Sequence, residues 1–512
     1  MKKAWRTLAG VIAAIAMAVA GLLGVGTAYA ANETYTITAP SNGHTYEVYQ
    51  IFTGDYAADG SLSNVKWGQN GTSTQGQAVD DTIIAELTAV SDSASDTEKL
   101  TAIEKYANLE TDPFKTVSSG NSAQVPGGYY LIKDTDNSLA GQNDAYTLYV
   151  VKVVGNVAIT PKSGVPESQK KVKDANDSTG ATTGWQDSAD YDIGDEVPFQ
   201  LTATIGDRYA DYKVYKLTFH DTQSEGLTFN KGSVNVYVDE NAGMQSPTPI
   251  AASNYQVATE GLTDGCTFEI RFADLKTITG ATVKAGSVIR VEYTSTLNQS
   301  ANIGSQGNPN TMHIQFSNNP NDETGDETGE TPNDKVIVFT YKTVINKKDQ
   351  DQKQLAGAAF RLDKFVADEN GSETHNNKKG SWQTVGTTTA GATTTFTFTG
   401  LDDGDYRLTE TVTPAGYNTI DPIEFTITAT HDEDSNDPTL TGLSGNAATG
   451  TITFTPNPSE GSLTADVVNQ KGSSLPETGG MGTVALYAGG AAIVLLAVIG
   501  LAVTARRRNG TR

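Results

Sequence analysis

The chain of 512 residues has a single cysteine, Cys266, so no intramolecular disulfide can form. Its five histidines are scattered, and no His-x-x-x-His pair occurs. Nucleophile elbows and phosphate-cradling loops are absent as well. A secreted enzyme therefore has little support, and no metal or cofactor is expected. Basic residues are scarce: 36 Lys and Arg stand against 60 Asp and Glu, a formal net charge of −24. That balance argues against nucleic acid as a partner, because a phosphate binder needs a basic surface. It suits a soluble, self-repelling surface. Long helical patterns are few. Thr, Gly, Asn and Asp are plentiful, which reads as mostly β with turn-rich loops.

Long apolar runs are confined to the two ends. Lys2, Lys3 and Arg6 precede an apolar stretch from Leu8 to Val25, and Ala28-Tyr29-Ala30 offers small residues before Ala31. This reads as a signal peptide over 1–30. The apolar stretch is longer than usual for one, so an uncleaved anchor stays open. Near the other end stands Leu475-Pro476-Glu477-Thr478-Gly479, then an apolar run from Gly482 to Ala505, then Arg506-Arg507-Arg508. At about 1.5 Å per helical residue the run covers a hydrocarbon core of roughly 30 Å. The arginines stop transfer and stay inside. Exported domains often rely on disulfides; here something else must brace them. About 440 residues lie between the two signals, which suggests about three domains.

The three-part tail resembles the cell-wall sorting signal of Gram-positive bacteria. The resemblance implies that a sortase cysteine cuts between Thr478 and Gly479, holds Thr478 as a thioester and passes it to an amine. The remaining sequence resembles the sortase-assembled backbone pilins of the same bacteria, on motifs taken here in chain order.

The first domain, 31–163, has strand-like alternation at Tyr35–Thr38 and Tyr46–Phe52. A helical segment spans Asp81 to Leu109, with Ile83, Ile84, Leu87 and then Leu100, Ile103, Tyr106 at helical spacing. Strands return at Gly128–Ile132 and Tyr146–Val151. The domain ends in a β run closing on Pro161-Lys162. A Pro-Lys pair at this place resembles the pilin motif, with Thr160 standing where that family has an aromatic. It implies that Lys162 is the amine acceptor for the threonine of the next subunit.

The second domain, 164–320, alternates strictly in its flanking strands, as expected of a sandwich with one buried face per sheet. It resembles the first of two immunoglobulin-like domain types in pilins and collagen-binding adhesins, which carry an intramolecular Lys–Asn isopeptide bond. Asp221 occupies the family's Phe-x-Asp-Thr position and would be the catalyst. Ile314, Phe316 and Asn318 share a face of the closing strand, which points Asn318 inward as the electrophile. Lys170 shares a face with Val172 and is preferred to Lys171 as the amine, an alternative the sequence leaves open. The acidic stretch 321–334 cannot pack a core, lacks EF-hand spacing and is expected to be a solvated linker.

In the third domain, 335–471, a strand is expected to start at Val336 and run on to Ile345 and Lys347. Tyr406-Arg407-Leu408-Thr409-Glu410-Thr411, followed by Pro414-Ala415-Gly416-Tyr417, resembles the complete E-box of the second pilin immunoglobulin-like type. The resemblance implies Glu410 as catalyst, Lys347 as amine and Asn469 as electrophile. Parity agrees, since Ile345 shares a face with Lys347 and Val467 with Asn469. The segment 472–512 holds the sorting signal, membrane span and basic tail.

Burial makes this chemistry feasible, because it favours the neutral amine and the protonated acid. Fixed contact replaces a bimolecular encounter by an oriented one. The chain is thus expected to be tandem immunoglobulin-like β-sandwiches with a C-terminal transmembrane helix. Its role would be structural: an exported, wall-anchored pilus backbone subunit, substrate of a sortase and not itself an enzyme. The expected partners are a pilus-specific sortase, further copies of the chain and peptidoglycan, with minor pilins or a host ligand left open. The rival is a monomeric wall-anchored adhesin that binds a host matrix protein or glycan, in which Lys162 would be inert.

Overall fold

A computed structural model describes residues 34–472 and 482–508, apart from 57–61, 91–93, 95, 154, 162–163, 241–246, 263 and 449–451. The chain is mostly β, arranged as successive sheet-based domains, as expected from its composition.

In the first domain Thr34–Thr38 pairs antiparallel with Ser122–Pro126 and parallel with Val157–Ala158. Beside it the long Thr45–Tyr56 strand is central to a second sheet with Leu62–Trp67, Lys115–Ser118, Gly128–Asp134 and Leu148–Val153. The helical insertion forms two helices, α1 (Asp81–Thr88) and α2 (Asp96–Glu104). Asp80 caps α1 by accepting the Thr82 N–H at 2.8 Å. The helices turn Leu87 and Ile103 onto Phe52, Trp67 and Leu131, so the insertion lids one face of the sheet.

The second domain is a sandwich of two seven-stranded sheets. The first sheet includes β1 (Glu167–Asn176), β2 (Glu196–Thr204) and β5 (Val288–Leu297). The facing sheet holds β3 (Leu217–Gln223), β4 (Phe268–Phe272), β6 (Asn308–Ser317) and β7 (Asp334–Phe339). Burial alternates along β5 and β6, which sets one row of side chains into the core.

The third domain pairs a four-stranded with a six-stranded sheet. Its first strand β8 (Tyr341–Asp349) and last strand β10 (Ser462–Asn469) lie side by side and parallel, with Lys347 opposite Val467. The E-box strand β9 (Gly404–Val412) lies in the facing sheet.

Two stretches differ from expectation. The acidic segment 321–334 is folded onto the second domain: Thr328–Glu330 pairs with β6. Its acidic side chains serve as turn acceptors, Asp322 taking the N–H groups of Thr324 and Glu327, each at 2.9 Å. The run expected as one strand from Val336 to Lys347 breaks at Thr340 into β7 and β8, in different sheets. Val336 and Val338 face the second-domain core, while Ile337 and Phe339 face the third. A strand apolar on both faces reads as continuous because each face has its own core to fill.

The seam between second and third domains is hydrogen-bonded along its length. The Asp402 N–H donates to Asp192 at 3.0 Å, the Asp403 N–H to Asp190 at 3.2 Å, and Ser178 Oγ to the Phe365 carbonyl at 2.8 Å. Lys364 is buried in this seam against Asp402, Asp192 at 2.6 Å and Asp177 at 3.1 Å. Beyond the sandwiches, α3 (Gly482–Arg508) carries an 18-residue window, Tyr487–Thr504, of mean hydropathy 2.2, long and apolar enough to cross a membrane.

Candidate functional site

The third domain brings Lys347, Glu410 and Asn469 together. Lys347 and Asn469 are fully buried and Glu410 is 5% exposed. The Lys347 ammonium touches Asn469 Oδ1 and lies 3.2 Å from the Val467 carbonyl and 3.7 Å from Glu410 Oε1. Asn469 Nδ2 donates to both Glu410 oxygens, at 3.0 and 2.9 Å. Thr413 Oγ1 at 3.1 Å and the Ile420 N–H at 3.3 Å hold Glu410 Oε2 from the other side. Burial pulls the Lys347 amine below the usual lysine range, with Glu410 opposing.

The second domain gathers a similar set, with one substitution of partner. Lys170 contacts Asp221 directly, and both are fully buried. Burial lowers the Lys170 amine and raises the Asp221 carboxyl, each against the pull of the other. The Tyr293 hydroxyl joins the cluster: it donates to Asp221 Oδ2 at 2.8 Å and accepts from Lys170 Nζ at 3.0 Å and Asn310 Nδ2 at 2.9 Å. One proton and two lone pairs are thus all used. Asp221 Oδ1 and Asn310 Oδ1 are buried without a partner.

Asn318, expected as the electrophile, is not brought to Lys170. It is buried, but its amide donates to the Leu139 carbonyl at 2.9 Å and the Asp144 carbonyl at 3.2 Å, clasping the first domain to the second. The register explains this. Asp221 lies opposite Met312, and six further residues at about 3.3 Å each carry Asn318 roughly 20 Å along the strand. Asn310 has the same parity as Ile314 and Phe316, so the face was legible and the position was not. Tyr293, on β5, carries no motif that marks it in the sequence. Lys171 is outside the cluster, paired with Asp187 at 2.6 Å.

Lys364 is a third buried lysine, and its surroundings set it apart. Burial pulls its amine down, but Asp402, Asp192 and Asp177 together hold it above the usual range. It stays an ammonium and an ion-pair partner, whereas Lys170 and Lys347 each face one carboxyl group.

A family model described as the SpaA prealbumin-like fold domain matches residues 342–439, which include Lys347 and Glu410. The trypsin-resistant surface T6 protein of Streptococcus pyogenes serotype M6 is 24% identical over 408 residues, 68% of this chain and 70% of that one. The chain resembles the backbone pilins of Gram-positive bacteria. Among solved structures, the T6 backbone pilin of serotype M6 Streptococcus pyogenes superposes with a TM-score of 0.47 at 18% identity, covering 86% of this chain and 99% of that one. The full-length major pilin SpaD of Corynebacterium diphtheriae gives 0.46 at 17%, covering 87% and 100%. Lys162 and the Leu475, Pro476, Glu477, Thr478 and Gly479 pentapeptide lie outside the described residues, as does the signal peptide.

Proposed function

We propose that this chain is a backbone subunit of a covalently polymerised surface pilus, braced by two internal Lys–Asn isopeptide bonds. The observation that carries the reading is the buried Lys347–Glu410–Asn469 cluster, set where the first and last strands of one domain run side by side.

The chemistry follows from the contacts. The neutral Lys347 amine attacks Cγ of Asn469, forming the new C–N bond. Glu410 lies 3.7 Å from that amine and 3.0 Å from Asn469 Nδ2, so it passes the amine proton to the departing nitrogen. The C–Nδ2 bond breaks and ammonia leaves. In the second domain Lys170 attacks Cγ of Asn310, the C–Nδ2 bond breaks and ammonia leaves, with Asp221, which contacts the Lys170 amine, as the proton carrier. Each bond forms once, so this is maturation without turnover. By analogy with a disulfide closing a loop of similar length, each adds about 5 kcal/mol. The larger effect is on forced unfolding, where rate matters more than equilibrium.

Outside the sandwiches, a sortase cuts after Thr478 and joins it to Lys162 of the next copy, and the last subunit is joined to peptidoglycan. The span Tyr487–Thr504 with Arg506, Arg507 and Arg508 holds the precursor in the membrane until then.

The deciding experiment blots wall extracts from cells making the native chain or Lys162→Ala. A detergent-resistant ladder that collapses to monomer in the variant supports the pilus and its acceptor. Monomer alone in both strains supports the single-copy adhesin.

A further inference from the structure

On the outer face of the β3–β4 pair, opposite to the face that holds Asp221, four unlike donors converge. His220 lies directly across from Glu269 on β4. The loop before β4 brings Asp264 and Cys266 over them, turning at Gly265 with φ +78°. One donor atom from each of His220, Asp264, Cys266 and Glu269 lies within 4.8 Å of every other.

We propose that these four residues form a tetrahedral site for a thiophilic divalent ion of the zinc type. Three observations carry it. First, the edges fit. With metal–ligand bonds of about 2.0–2.3 Å, a tetrahedron has edges of roughly 3.3–3.7 Å. His220 Nδ1 is 3.6 Å from Glu269 Oε1, and Cys266 Sγ is 3.7 Å from the same oxygen. The His220 Nδ1 to Asp264 Oδ2 edge, at 2.8 Å, must open, and the three remaining edges lie within 4.8 Å.

Second, each carboxylate has its other oxygen already engaged. Asp264 Oδ1 accepts the Cys266 N–H at 3.1 Å, and Glu269 Oε2 is paired with the Arg271 guanidinium. That leaves Asp264 Oδ2 and Glu269 Oε1 facing the centre, the orienting arrangement that ligands receive from a supporting shell. His220 Nδ1 is hydrogen-bonded to the Asp264 carboxylate, which can only accept, so the ring must move that proton to the buried, unpartnered Nε2 when the ion binds.

Third, the charges close. Two carboxylates and a thiolate are balanced by a doubly charged ion and Arg271, in a cluster where His220, Cys266 and Glu269 are all buried. Binding releases one proton as Sγ becomes a thiolate. Asp264 is the exposed ligand and gives the ion its way in. A sulfur and a nitrogen donor among four favour zinc over calcium or magnesium, which take oxygen. The ion would pin the 264–266 loop to the sheet, which matters in an exported chain without disulfides.

The test uses the full chain, detergent-solubilised and free of any histidine tag, titrated with Co2+ and then Zn2+. The expected result is one equivalent of Co2+ with a thiolate-to-cobalt charge-transfer band and tetrahedral d–d bands, displaced by Zn2+ and untouched by excess Ca2+. Cys266→Ser abolishes the charge-transfer band. Arg271→Ala, which removes the partner of Glu269 along with a hydrogen bond to the Gly261 carbonyl, weakens binding about 10–100-fold. Asp264→Asn, on the exposed loop and so tolerated by the fold, weakens it at least as much. The proposal is overturned by no saturable binding, by binding unchanged in Cys266→Ser and Asp264→Asn, or by displacement with Ca2+, which would place the ion among the seam aspartates.

Discussion

Asn310 donates its amide hydrogen to the Tyr293 hydroxyl at 2.9 Å, the same oxygen that Lys170 reaches at 3.0 Å. On the proposed reading the second-domain bond lies eight residues up the strand from Asn318. Intact mass of the matured chain tests it. Asn310→Ala should retain one ammonia mass relative to the native protein. Asn318→Ala should still lose both and should loosen only the clasp between first and second domains. An Asn310→Ala chain still two ammonia masses below its own sequence mass would sink the Lys170–Asn310 assignment.

Removing Glu410 should stop the third-domain bond without emptying its core. Glu410→Ala is expected to lie one ammonia mass, not two, below its own sequence mass and to lose about 5 kcal/mol of stability, read as a lowered unfolding midpoint. The second-domain bond should form as before, because Asp221 and Glu410 belong to separate cores. A variant that still loses both ammonia masses would show that Glu410 is dispensable.

Tyr293→Phe removes a hydroxyl that satisfies three buried groups at once. Lys170 and Asn310 lose an acceptor and Asp221 a donor. A cost of about 1–3 kcal/mol is expected, together with slowed ammonia loss in freshly translated protein. Wild-type kinetics of mass loss would mean that the tyrosine only packs.

The seam between second and third domains should tighten in mild acid. Burial, then the Asp190 charge, raises Asp174 to about 7 and Asp403 to about 6, and burial, then Asp192, raises Asp195 to about 6, all from 3.8. Facing them are Asp177, Asp190, Asp192, Asp402 and Glu433, against the cations Lys364 and His431. Carboxyls with raised values hold protons that the unfolded chain releases between about pH 4 and 7, so their contribution to stability falls as pH rises through that window. His431 is raised too, and its contribution is likewise lost with rising pH. Amide exchange at Asp402 and Asp403, corrected for intrinsic pH dependence, should show more protection at pH 5 than at pH 7.5. Protection that is flat or greater at the higher pH contradicts the sign.

The third-domain cluster was legible because it needs only local information: strand parity at Lys347 and Asn469, and an E-box motif that marks Glu410. The second-domain cluster needed one thing more, the register of β6 against β3. That register is fixed by tertiary pairing of Asp221 with Met312, which no local pattern encodes. Tyr293 was hidden because an inward aromatic on an alternating strand reads the same whether its hydroxyl is idle or shared. The four donors around Cys266 were hidden for a similar reason. They come from two strands and a loop, so their spacing in the chain carries no ligand signature. The acidic stretch 321–334 misled by composition: carboxylates that look solvated are turn acceptors when the neighbouring N–H groups need them.

The strand Asp334–Phe339 has one face in each of two cores. Neither domain can tilt against the other without dragging that common wall out of one of them. Two sandwiches joined this way behave as a single stiff lever, so a filament of such units would flex at the junctions between subunits, and its bending rigidity would be decided by a six-residue strand held between two cores.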